Sequence, residues 1–125
     1  MSSGGIEFDI GNILNAYAKD LQQEINVIAE ELADKAVDEL RSTSPKATGD
    51  YAKNWDKKEE KGANDSKHFI IHNKKKYFLT HLLEKGHAKR NGGRTAPIPH
   101  IEPVERSIAE EFYQKVQEVV NNANR

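Results

Sequence analysis

The chain contains no cysteine, which excludes disulfides and thiolate metal centres. Aromatic residues make up only 7% of it, with a single tryptophan, Trp55. No apolar run approaches the ~18 residues a membrane span requires, and Met1–Asp9 lacks the apolar centre of a secretory signal. A soluble protein made in a cytoplasm, with no membrane partner, is therefore expected. Prolines number four, and three of them crowd into positions 97, 99 and 103. What the chain has in quantity is charge, 31% against 36% hydrophobic residues. Its 125 residues then fit one domain, 1–125, around a thin core.

The net charge of −1 conceals a segregation. Residues 1–45 carry nine acids and three bases, a net −6, while 46–101 carry six acids and thirteen bases, a net +7. Residues 102–125 return to a net −2, with five acids and three bases. Such polarity can steer nucleic acid, or pair the basic face of one copy with the acidic face of the next. On the acidic side the candidate contact residues are Glu31, Asp34 and Asp38, beside Glu30.

Hydrophobic spacing predicts a long helix over Ile10–Arg41, with Asp9 as its N-cap. Leu14, Tyr17, Leu21, Ile25, Ile28, Leu32, Ala36 and Leu40 follow at steps of three or four and form one apolar stripe. The helix would run about 45–50 Å, and its stripe suits either a sheet or another subunit. Ser42-Thr43-Ser44-Pro45 ends it, because a residue before proline is pushed out of the α region. Two strands are then predicted, Tyr51–Trp55 and His68–His72, joined as an antiparallel hairpin through a turn near Lys61–Ser66. Lys74-Lys75-Lys76 closes the second strand with charge. A short helix follows over Tyr77–Lys85, with Phe78, Leu79, Leu82 and Leu83 on one side and Gly86 just past its end. Ala96–Ile101 reads as an extended segment able to lie at a sheet edge. The final helix is placed from Pro103, with Val104, Ile108, Phe112, Val116 and Val119 as its buried stripe. Residues 1–8 and 121–125 are expected to be flexible. The class is α+β: a long N-terminal and a C-terminal helix packed on a small antiparallel sheet, with a short helix and a glycine-rich basic loop.

Catalytic chemistry finds little support. His68 and His72 on a strand would stand about 13 Å apart, too far to share one ion, and His81, His87 and His100 show no metal-ligand spacing. The serines and threonines lack a nucleophile-elbow context, and Glu59-Glu60 and Glu110-Glu111 are adjacent pairs that point apart. Gly86–Gly93 lacks the lysine and hydroxyl residue of a phosphate loop. No catalytic, cofactor or metal residues are expected.

The stretch Leu79–Arg106 has the profile of a docking loop. Lys85, His87, Lys89, Arg90 and Arg94 supply positive charge with no acid among them, interrupted by Gly86, Gly92 and Gly93. Pro97, Pro99 and Pro103 then hold the chain extended. These bases are the candidate contacts to a partner. A second reading, a small nucleic-acid-binding accessory protein, uses the same cations against phosphates. Aromatic residues do not interleave with the charges as a stacking platform requires.

Two stretches together resemble a family. The first is Ser44-Pro45-Lys46-Ala47-Thr48-Gly49-Asp50-Tyr51-Ala52-Lys53. The second is Leu83-Glu84-Lys85-Gly86-His87, running on through Ala96-Pro97-Ile98-Pro99-His100-Ile101-Glu102-Pro103. Their order and spacing are similar to those of a minor tail-component family of siphophages and their prophages, of the tail-completion or head–tail connector type. Tyr51 stands where leucine is frequent, and His87 where threonine is frequent. The resemblance implies a non-enzymatic virion-assembly protein, oligomeric at the head-proximal end of the tail, in contact with other head–tail or tail proteins. It gives Pro45, Thr48, Gly49, Gly86, Pro97, Pro99 and Pro103 structural roles. Thr48-Gly49 also reads as a turn in which glycine takes a positive φ.

Overall fold

The computed structural model of the chain describes residues 6–9, 19–46, 49–62 and 67–123. Its longest helix, α1, spans Lys19–Thr43 and ends at Ser44, as Pro45 demands. The expected first turns from Ile10, with Leu14 and Tyr17 of the stripe, lie outside the described residues. The expected cap by Asp9 concerns that same helix start, which falls there too. Asp9 itself ends a four-residue strand, β1, Ile6–Asp9.

The buried face of α1 is wider than the predicted stripe. Ile25, Leu32, Ala36 and Leu40 are buried as expected, and Ala29, Ala33 and Val37 join them. Two neighbours explain the width, because the helix lies on the sheet and also against the C-terminal helix. The chain therefore covers much of this stripe itself, while Leu21 and Ile28 stay half-buried. Ala29, Ala33 and Ala36 keep this buried face shallow.

The sheet has three strands in the order β1-β3-β2, all antiparallel neighbours. Strand β2 is Trp55–Lys61 and β3 is Lys67–Asn73. An antiparallel hairpin is present as predicted, but its first strand is Trp55–Lys61 in place of the expected Tyr51–Trp55, and its turn residues 63–66 lie outside those described. In β3, Phe69, Ile71 and Asn73 alternate inward, as period two requires. Trp55 is the one buried residue of β2.

Tyr51 and Lys53 are not in a strand. They belong to a single helical turn, α2, Asp50–Lys53, which Gly49 introduces at φ 83°. Five alternating residues are too few to separate a turn from a strand, and this backbone reversal decides the matter. Glycine takes such a φ without the steric cost a Cβ brings. Thr48, the other half of the predicted turn, lies outside the described residues.

Helix α3 occupies Tyr77–Lys85, the predicted limits. Helix α4 runs Ile101–Ala123, beginning two residues before the predicted Pro103. Pro103 sits in its first turn, where a missing N–H is tolerated. Val104 and Ile108 are buried, and Phe112 and Val116 are packed against the same core. Ala96–Ile101 adds no strand: residues 96–100 are extended without ladder pairing, and Ile101 is already helical. One tie to α3 is the Ile98 N–H donating to Leu83 O at 2.8 Å.

Candidate functional site

Helix α3 turns a polar edge inward. Thr80 and Glu84 are buried, Leu79 and Leu83 are partly so, and Phe78 and Leu82 face outward at 56% and 36% exposure. The predicted apolar side is thus rotated, because Glu84 has work to do inside. Its carboxylate accepts the backbone N–H groups of His100 and Ile101 at 2.8 Å each and of Glu102 at 3.0 Å. The first four N–H groups of a helix have no partner within it. Three of these here go to Glu84, and the fourth position is Pro103, which has none. One carboxylate from α3 thereby closes the positive end of α4. Burial pushes the Glu84 carboxyl up, but the three N–H donors and His100 outweigh it and hold it below the usual value.

The imidazole of His100 extends the network. Its Nδ1 faces two acceptors, Ile98 O at 2.7 Å and Glu84 Oε1 at 3.1 Å, so the proton belongs on that nitrogen. Nε2 lies 2.7 Å from the Tyr51 hydroxyl. Burial, and after it the Glu84 charge, push the phenol well above its ordinary range, so it remains a donor. Tyr51, Trp55 and His100 meet edge to face, with ring centroids 5.5–6.5 Å apart. Trp55 Nε1 donates to Ser44 Oγ at 2.8 Å, and Asn73 Nδ2 donates to Tyr51 O at 2.8 Å. Arg41 closes the outer side with two bonds to Trp55 O, at 3.1 and 2.9 Å. Ser44, Tyr51 and Trp55 of the first stretch and Glu84 and His100 of the second therefore share one buried network, far apart only in sequence.

Above this root stands the basic loop, folded as a small hairpin. Ala88 and Arg94 form a bridge, Lys89 N donates to Gly93 O, and Thr95 N donates to His87 O, both at 2.9 Å. Gly86 holds the base at φ 73°, and a Cβ there would meet Thr95 O at 2.5 Å. Lys85, His87, Lys89, Arg90 and Arg94 are all exposed. Arg94 donates to Gly86 O at 3.3 Å, and His87 Nδ1 lies 3.2 Å from Thr95 Oγ1. Pro97 and Pro99 are exposed in the return segment, and Pro45 is partly buried beside Ser44.

The acidic candidates are divided by their partners. Lys57 of β2 reaches Asp34 at 2.8 Å and Glu30 at 3.4 Å, tying both to the sheet. Glu31 and Asp38 stay exposed on α1.

Residues 8–86 match a family model described as "Bacteriophage HK97-gp10, putative tail-component". The chain belongs to this family. As an HK97-gp10-like protein it is a structural component of a phage tail, which places it in the virion among other tail proteins. The matched span contains the whole first motif and the opening of the second, including Glu84 and Gly86. No curated protein and no solved structure matches the chain. Among the described residues, no helix is long and apolar enough to cross a membrane.

Sequence reasoning left Glu84 and His100 without a role. The signal was present: no Ser, Thr, Asp or Asn stands immediately before Ile101-Glu102-Pro103, so the cap had to come from elsewhere. A carboxylate two residues before a helix-ending glycine was the available donor of that charge.

Proposed function

We propose that this tail component acts in tail completion or head–tail joining, as an oligomeric ring in which chain 1–125 works as one domain. The observation that carries the reading is the basic hairpin: an exposed cluster of Lys85, His87, Lys89, Arg90 and Arg94 on a root buried through Glu84 and His100. A rigid root with an exposed, charged tip suits contact with a neighbouring protein, where charge-assisted hydrogen bonds add specificity. Glu31 and Asp38 offer an opposite pole for a copy of the same chain. Exposed pairs of this kind set register and association rate more than affinity.

The test is assembly with a Lys89→Glu/Arg90→Glu chain in an infected or induced host. Normal folding with free heads and unjoined or incomplete tails is the expected result. Full yields of joined particles would refute the role of the hairpin. Purified protein that binds DNA with steep salt dependence would instead assign these cations to nucleic acid.

A further inference from the structure

Among the described residues, six large apolar side chains are exposed, and four of them sit in two separate places that match each other. Tyr77, Phe78 and Leu82 occupy the outer face of α3, with Lys85 one turn beyond Leu82 on the same face. Tyr77 and Phe78 meet edge to face, ring centroids 5.9 Å apart, so the aromatic pair presents a formed surface. Lys74, Lys75 and Lys76 precede the helix, and its one acid, Glu84, is buried. This is an apolar patch with a basic border.

The second place is a groove of about 590 Å³ between the N-terminal half of α1 and the C-terminal half of α4. Leu21, Val27, Ile28 and Val119 give it an apolar floor, and among the described residues its charged lining is Glu24 and Glu31. Val27 is 57% exposed. This is an apolar groove with an acidic border.

From these complementary surfaces we infer that the groove receives the α3 face of a second copy of the chain, Phe78 and Leu82 entering it and Lys85 meeting Glu24 or Glu31. The inference rests on the oligomer reading above and names its contact. Shape, polarity and sign of charge agree, an i, i+4 apolar pair being what a groove between two helices accepts. A copy cannot fill its own groove: α3 caps the start of α4, whereas Val119 lies 18 residues further on, about 27 Å along the helix. Such a contact is heterologous, and it makes a ring when the rotation closes.

Two single variants of the full chain test it, Phe78→Asp on the patch and Val27→Asp in the groove. Both positions are exposed, so both chains should fold, as circular dichroism and melting would verify. In light scattering on a sizing column, the unmodified chain should be an oligomer and each variant a monomer of 14.1 kDa. An equimolar mixture should give a species of twice that mass and nothing larger, since one intact patch then meets one intact groove. Folded variants that keep the oligomer, or a mixture that stays monomeric, would overturn this contact while leaving the oligomer reading in place. An unmodified chain that is monomeric at every concentration would overturn both.

Discussion

The hydroxyl of Tyr51 lies 2.7 Å from Nε2 of His100, a residue 49 positions later in the chain. This bond joins the turn after α1 to the start of α4, and both groups are buried. Tyr51→Phe should keep the ring packing and lose the donor. The cost should be about 1–2 kcal/mol in urea denaturation, because the imidazole nitrogen is left buried without its partner. An unchanged unfolding midpoint would show that the ring contacts alone hold the joint.

Glu84→Ala should be the more damaging change. Three backbone N–H groups lose their acceptor at once, and the start of α4 loses its negative charge. A loss of about 2–4 kcal/mol is expected, with Glu84→Gln intermediate because its carbonyl still accepts. Hydrogen exchange should quicken first at Ile101 and Glu102.

The same carboxylate gives a pH dependence of known sign. Its proton binds more weakly in the fold than in the unfolded chain. The stabilisation is therefore complete above the ordinary carboxylate value of about 4.3, and is lost as pH falls through the lower value of the folded state. Measured from about pH 6 to about pH 3, the stability gap between the unmodified chain and Glu84→Gln should narrow. A gap that widens in acid would contradict the cap.

Gly49→Val should cost about 1–3 kcal/mol through backbone strain alone, since no atom lies within 4 Å of the new Cβ. Gly86→Ala should cost more than Gly49→Ala, because it adds a collision with Thr95 O to the same unfavourable φ. Equal melting temperatures for the two alanine variants would argue against that close approach.

Replacing Lys89–Gly93 by Asn-Gly should leave stability within about 1 kcal/mol, since the Ala88–Arg94 bridge then closes on a favoured two-residue turn. Head–tail joining should nevertheless fail. A shortened chain that unfolds would make the hairpin tip part of the core.

Elements bounded by strong local chemistry were legible in the sequence. Pro45 stopped α1, the lysine turn and Gly86 bounded α3, and the β-branched and aromatic run 68–72 marked β3. Two of the failures share a cause, which is polar burial. The face of α3 was misread because Thr80 and Glu84, not Phe78 and Leu82, point inward, and hydrophobic spacing assigns the inside to apolar residues. The start of α4 was misplaced because its cap comes from another helix. The site was half legible: the exposed bases of the loop were evident, whereas their buried root depends on Tyr51 and His100, which local pattern cannot bring together.

Glu84 and His100 pin both ends of the segment between them, and that pinning separates the hairpin's composition from the integrity of everything below it. The tip is in effect a replaceable cassette. If the tip meets a neighbouring protein as proposed, mutation could rewrite its length and charge to suit that neighbour at little cost to the scaffold's unfolding free energy. The same independence makes positions 89–93 the natural place to graft a foreign epitope or a fluorophore-bearing peptide, and so to watch this subunit enter the growing particle.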